Sequence, residues 1–410
     1  MKTANRSIFS LAVVVAALGY FVDIYDLVLF GIIRVDSLRD LGLSPQAISA
    51  KGLLLINIQM AGMLLGGILW GILGDKKGRL KVLFGSIILY SLANIFNGMV
   101  HSVEGYILWR FLAGLGLAGE LGAGVTLVAE VLPKEKRGYG TMLVPTIGVC
   151  GAVAAFMISE AFDWRSCYFI GGGLGIFLLL LRLGVLESGM FQQMQHSDAR
   201  KGDFFSLFTD RAKFKKYIKC IMIGLPTWFV VGILVFFSND FARAMHVQGE
   251  VDPGFAVMAS YAGLILGDLL SGLISQLWKS RKKTVVLFLA GTALGILWYF
   301  NLQGVTVHRF YWVCFLLGVA VGYWAIFITI AAEQFGTNLR ATVTTTVTNF
   351  VRGMLIPISA LYAFLQGYVS LYTSGIIVGL LCLLIALFAA FKIEETFHKD
   401  LNYIEDPKQQ

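Results

Sequence analysis

Charge is scarce in this chain of 410 residues: Asp, Glu, Lys and Arg together make up 14%, against roughly 25% in soluble domains. Hydrophobic residues fill 57% of it and mean hydropathy is +0.75, more apolar surface than a water-soluble core can hide. Proline is rare, at seven, and no low-complexity tract occurs, which excludes a disordered chain. The five cysteines (Cys150, Cys167, Cys220, Cys314, Cys382) lie in or against apolar runs without C-x-x-C spacing. They read as small buried hydrophobes rather than a disulfide frame or a metal site. The five histidines (His101, His196, His246, His308, His398) fall in loops or at the ends of apolar runs, a poor arrangement for a proton relay. No G-x-x-x-x-G-K-[ST] loop and no nucleophile–base spacing stand out, so neither ATP use, catalysis nor a cofactor is expected. The basic start lacks a small-residue cleavage site and its apolar run continues to Ile33, which reads as an uncleaved first span.

Long apolar runs are what the chain has in quantity. At 1.5 Å rise per residue, about 20 apolar residues cross roughly 30 Å of hydrocarbon. Twelve such runs lie near 8–33, 50–73, 81–100, 105–131, 139–161, 167–186, 217–239, 254–277, 284–302, 309–332, 342–366 and 371–393. Lipid offers no partner to exposed backbone groups, so each run is expected to be helical. The fold expected is an all-α membrane protein. The net charge of +8 then reads as topology. Loops on one side hold 23 Lys and Arg, whereas the other side holds six: Arg34, Arg39, Lys51, Arg165, Arg243 and Arg309. The positive-inside rule places both termini in the cytosol, and no nucleic-acid partner is needed to explain the basic excess.

The longest polar break, Glu187 to Lys216, splits the runs six and six. Residues 1–186 are expected to form one six-helix bundle, 187–216 a cytoplasmic linker, and 217–410 a second bundle with a short cytoplasmic tail. Internal similarity supports the division. Gly71-x-x-x-Asp75-x-x-Gly78-Arg79-x-Lys81 follows the second run, and Gly272-x-x-x-Gln276 follows the eighth, 201 residues later. Glu130-x6-Arg137 closes the fourth run, and Glu333-x6-Arg340 closes the tenth, 203 residues later. Duplicated halves of this kind form a binding site between repeats near the membrane midplane.

The stretch GILGDKKGRLK at Gly71–Lys81 resembles the loop signature of the major facilitator superfamily. Arg110-x-x-x-Gly114-x-Gly116-x-x-Gly119-Glu120 is similar to that superfamily's fourth-helix motif. The paired E-x6-R elements resemble its sugar-porter, organic-anion and metabolite:proton symporter branch. GYFVDIYDLVLFG in the first run is similar to the first helix of proton:phosphate and related symporters. The resemblance spans the chain and implies two six-helix halves in pseudo-symmetry, working by alternating access. It also implies that Gly71, Asp75, Gly78 and Arg79 latch the inner gate, joined by Glu130, Arg137, Glu333 and Arg340. Asp75 is placed to accept charge-assisted bonds from Arg79 or from a facing helix N-terminus.

Ionisable residues within the runs point to the chemistry, because each costs about 2.5–3.5 kcal/mol to insert. Asp23 and Asp26 stand three apart, on one helix face, and suit a proton carrier. Glu120 lies near the midplane, and Arg110 lies within about 80° of it around the helix axis. An arginine and two or three acids sharing a cavity are the parts of a protonation-linked switch. Thr342, Thr345, Asn349 and Arg352 form one polar stripe on the eleventh run. Arg352 near the midplane requires an anion, either a solute or a protein acid such as Asp268, Asp23 or Asp26. Tyr25, Trp228 and Trp324 are candidates for the cavity wall.

These readings converge on a proton-coupled symporter in a bacterial inner membrane. It would import a small organic, anionic metabolite, with a single chain as the transport unit. Asp23, Asp26, Arg110 and Glu120 would handle the proton, and Arg352, Asn349 and Thr345 the solute. A sugar or polyol symporter is the alternative. Leu186-Glu187-Ser188 matches the sugar-porter E-S-P-R element only in part, and the glutamine-rich seventh-helix signature of that group is missing. A drug:proton antiporter fits less well, because the fifth run lacks a Gly-Pro pair. A non-transporting receptor would have no need for acids and arginines at membrane depth.

Overall fold

The computed structural model describes residues 10–184, 202–397, 399 and 403–405, apart from the side chains of Pro45, Gln46, Ser49, Lys134, Glu135 and Arg137. Among the described residues twelve helices are long and apolar enough to span a membrane. They are α1 (Leu11–Asp40), α2 (Ala50–Lys77), α3 (Arg79–Gly98), α4 (Val103–Val131), α5 (Gly138–Ala161) and α6 (Trp164–Leu181). The remainder are α7 (Arg211–Val235), α8 (Pro253–Leu277), α9 (Arg281–Tyr299), α10 (Val307–Gln334), α11 (Arg340–Gln366) and α12 (Leu371–Lys392). Each coincides with one expected apolar run, and extended pairing among the described residues is limited to a bridge between Gln248 and Thr306. The fold is all-α, with twelve spans in two pseudo-symmetric bundles of six. Most of the expected linker, 187–201, lies outside the described residues, as do Leu186 and the Glu187-Ser188 element.

Pseudo-symmetry is visible in how the helices touch. A Cβ on Gly62 or Gly66 of α2 would strike the carbonyl oxygen of Phe111 or Leu115 on α4. Gly263 and Gly267 of α8, both 201 residues further on, would strike those of Phe315 and Val319 on α10. Small residues four apart let two backbones meet closely, and in lipid such packing replaces the hydrophobic drive for helix association. The two halves meet most extensively through α2 against α11 and α5 against α8, contacts that exchange under the same two-fold relation.

Four spans are interrupted. In α4 the helix Val103–Leu117 ends before Glu120–Val131 begins, and in α10 Val307–Val321 ends before Trp324–Gln334. Gly119 and Gly322 occupy the two gaps, 203 residues apart. In α11 the break falls at Met354, and α7 ends in a π-helical stretch, Val230–Val235, just after Pro226. Proline cannot donate to the helix ladder, and irregular backbone at membrane depth is tolerated only where protein or a cavity surrounds it. Gly263→Val should therefore overpack the α8–α10 contact by about 1–3 kcal/mol and lower the melting temperature of the purified protein. Gly173→Val should leave the melt unchanged, since a Cβ there meets nothing within 4 Å.

Candidate functional site

The turn between α2 and α3 builds a cluster of charges, the expected latch, at the end of the bundle that carries the basic loops, the basic face. Gly78 carries φ +106, a conformation side chains resist, and it turns the chain so that Arg79 starts α3 beneath Asp75. The Asp75 carboxylate accepts the backbone N–H groups of Ala341 and Thr342 at 3.2 and 2.8 Å and pairs with Arg79 at 3.4 Å. It thus caps the positive N-terminus of α11 across the two halves. Gly71 permits this approach, because a Cβ there would press on the Thr342 backbone. Glu130 receives Arg79 at 2.8 Å and Arg340 of the opposite half at 3.2 Å, and all three side chains are buried. Glu333 receives Arg281 at 3.3 Å, repeating the Arg79–Glu130 pair some 202 residues on.

Deeper in the membrane, a closed chamber of about 20 Å³ lies between the halves, room for about one water. Its wall includes Tyr20, Trp228, Tyr261, Trp324 and Arg352. Arg352 donates to the Tyr20 hydroxyl at 3.2 Å and pairs with Asp23 at 3.4 Å, so an ion pair beside the chamber joins α11 to α1. Its guanidinium also lies about 6 Å from the ring centres of Tyr20 and Trp324, within cation–π range. Asp268 caps the second half of α10, accepting the Ala325 N–H at 3.0 Å.

Two further ion pairs are buried wholly within the first half. Arg110 meets Asp26 at 3.1 Å and lies over the Tyr168 ring. Glu120 is gripped by Arg182 through two bonds, of 2.5 and 2.9 Å, and accepts the Ser86 hydroxyl at 2.7 Å. Gly19 of α1 makes room for this pair, since a Cβ there would collide with both partners.

Comparison with known proteins settles the lineage. The family model described as Major Facilitator Superfamily matches residues 10–360. The chain belongs to the major facilitator superfamily. A putative metabolite transport protein of Haemophilus influenzae is 27% identical, covering 84% of this chain and 86% of its own length. The putative niacin/nicotinamide transporter NiaP of Bacillus subtilis is 26% identical, covering 90% and 94%. Among solved structures, the proton:xylose symporter XylE superposes with a TM-score of 0.76 at 16% identity, over 96% of this chain and 98% of that one. This last likeness concerns the fold alone. The chain is a multi-pass membrane transporter of the superfamily and not an enzyme.

Several expected groupings for this major facilitator need correction. Glu120 does not meet Arg110; the break at Ala118–Gly119 resets the angular register that a continuous helix would impose, and Arg182 takes the carboxylate. Asp23 and Asp26, about 60° apart around α1, turn to different partners instead of sharing one cavity. Asn349 gives its amide to the Ala118 carbonyl at 2.8 Å, and Thr345 packs against Gly122. Of the polar stripe on α11, Arg352 alone lines the chamber. Tyr25 points away, donating to the Cys167 carbonyl on α6 at 2.8 Å. Glu130 and Glu333 bond arginines of other helices at the latch, while the Arg137 side chain lies outside the described residues. Trp228 and Trp324 do line the chamber. Arg182 escaped notice although it sits inside the apolar run 167–186, a signal that was legible. Tyr20 and Tyr261 carried none, because a tyrosine in an apolar helix faces lipid, core or cavity with equal ease.

Two outcomes test this geometry in the facilitator. Glu120→Gln leaves a buried guanidinium without its anion and should destabilise by about 3–5 kcal/mol. Glu120→Leu with Arg182→Met should restore most of the melting temperature; failure to recover would mean the pair does more than pack. Asp75→Asn should loosen the basic face. Maleimide labelling of a reporter Thr344→Cys, buried at the α4–α11 contact, should then rise about tenfold, given charged hydrogen bonds worth about 1.5–3 kcal/mol.

Proposed function

We propose that this transporter imports a small aromatic monocarboxylate together with a proton. The observation that carries the reading is Arg352, held by Asp23, lining a chamber walled by Tyr20, Trp228, Tyr261 and Trp324. Aromatic walls suit a flat ring, and a guanidinium suits a carboxylate. Niacin, for which the Bacillus subtilis relative is named, has both parts.

Coupling follows from charge balance. A guest carboxylate on Arg352 would put two anions against one cation in a low-dielectric space. A proton on Asp23 removes that conflict and frees the guanidinium for the guest. One proton would accompany each monoanion, so uptake would move no net charge. Asp26 and Arg110 would pass the protonation state to the rest of the first half. Glu120, held twice by Arg182, is assigned to packing. The basic face would be cytosolic, with both termini there. Residues 1–186 and 217–410 would rock about the chamber within a single chain, joined by the linker 187–216. The cluster at Asp75 and Glu130 would keep the cytosolic side shut when the outer side opens.

A sugar or polyol guest is the second reading. It draws on the same pair, since a neutral guest would leave Arg352 with Asp23 throughout. Proteoliposomes loaded with buffer and offered labelled nicotinate, benzoate or xylose separate the two. Nicotinate or benzoate uptake should rise with an inward proton gradient, collapse with a protonophore and give no current on a solid-supported membrane. Arg352→Ala should weaken apparent affinity at least tenfold, the lower bound for losing a charged hydrogen bond. Asp23→Asn should retain exchange but lose uphill accumulation. Normal accumulation by Arg352→Ala, or uptake of xylose alone, would overturn the anion reading.

A further inference from the structure

On the basic face, α8 gives way to α9 through a tight turn, and the end of α12 lies beside it. Between them opens a groove of about 780 Å³, bordered by Trp278, Lys279, Lys282, Lys283, Phe391 and Glu395. The groove is split by chemistry. Its apolar lining includes Leu287, Trp278 and Phe391, with exposures of 43, 50 and 61%, and Leu277 next to Trp278 is 80% exposed. Its basic lining is three lysines. Lys282 is committed to the carbonyl of Phe391 at 2.7 Å, which ties α9 to α12. Lys279 and Lys283 are exposed and have no ion pair among the described residues.

The single carboxylate in the groove does not cancel these charges. Glu395 is turned onto the start of α9, where it accepts the Ser280 hydroxyl and the N–H groups of Arg281 and Lys282. It also accepts the N–H groups of Thr396 and Phe397 in its own chain turn. Burial would raise its pKa, but the Ser280 hydroxyl and these amides outweigh that and hold it below the ordinary glutamate range. Three cations against one committed anion leave the rim at about +2. The turn also spends backbone freedom on a cation: Lys279 sits at φ +50, a left-handed conformation in which non-glycine residues are uncommon.

From this arrangement we infer that the α8–α9–α12 groove is a binding site for an anionic phospholipid of the basic-face leaflet. The phosphate meets Lys279 and Lys283, and the acyl chains run down over Trp278, Leu287 and Phe391. A soluble phosphate ligand would leave the apolar wall without a partner, whereas a lipid meets both walls at the depth where each lies. Arg281, on the same turn, holds Glu333 at 3.3 Å, so the headgroup is joined mechanically to the latch of the second half.

Native mass spectrometry of the full chain, titrated with phosphatidylglycerol or phosphatidylcholine, tests the site. The unaltered protein should retain phosphatidylglycerol in preference. Each lysine near an anionic surface contributes about fivefold, so Lys279→Gln with Lys283→Gln should weaken that retention roughly 25-fold without changing retention of phosphatidylcholine. An unchanged melting temperature in phosphatidylcholine nanodiscs verifies that the double variant is folded. If it is not, Lys283→Gln alone, with an expected loss of about fivefold, serves in its place. Equal retention of phosphatidylglycerol by the folded variant and the parent overturns the proposal. So does displacement of the lipid by inorganic phosphate at matching concentration, which would make the apolar wall irrelevant.

Discussion

A charge inside a membrane must find its opposite, and the closed arrangement of this transporter rests on that constraint. Lipid tails are as apolar as leucine, so burial of greasy surface does not by itself hold two helix bundles together. Across the interface the contacts that discriminate are electrostatic. Asp75 caps α11, Glu130 sits between Arg79 and Arg340, and Asp23 answers Arg352. Removing one partner from such a pair strands a buried charge at a cost of about 3–5 kcal/mol. That approaches the about 5.5 kcal/mol that inverts a population from 1:99 to 99:1, so it would shift an equilibrium between two bundle arrangements substantially. Under the proposed mechanism, a proton reaching Asp23 or a carboxylate reaching Arg352 would act on that scale.

The two halves share their packing but not their charge. Gly62 and Gly66 recur as Gly263 and Gly267, and the helix break at Gly119 recurs at Gly322. Yet Arg110 corresponds to Val313, and Asp75 to Gln276. Backbone proximity is a requirement of the fold and must be met twice. Buried ionisable groups are a requirement of function, and one half carries most of them. Where the second half repeats an ion pair of the first, Arg281 with Glu333, it lies at the helix ends. The interior of that half around α9 and α10 is correspondingly apolar at Val313, Ile296 and Leu317.

Local rules carried well wherever the physics was local. The twelve spans follow from run length, the internal repeat from two motif pairs at nearly one offset, and the Asp75 cap from a carboxylate at a helix end. Partner choice was less legible. Glu120 and Arg110 are ten residues apart and were joined by assuming one continuous helix; two residues of broken helix made that geometry void. Thr345 and Asn349 share a stripe with Arg352, but Gly67 and Gly122 admit neighbouring helices onto that stripe and leave only its deepest member facing the chamber. Arg182 could have been noticed as an arginine in an apolar run, but its partner is 62 residues away and nothing in the spacing names it.

The sequence by itself determined that the chain lives in a membrane, crosses it twelve times and is built as a duplication, because insertion depends on apolar length and repeats leave their mark at fixed offsets. It also determined which charges are costly enough to need an explanation. Only the tertiary structure decided which acid answers which arginine. Pairing at 3 Å depends on helix breaks, glycine-permitted approach and the fit of one bundle on the other, and these are summed over the whole fold rather than written at any one position.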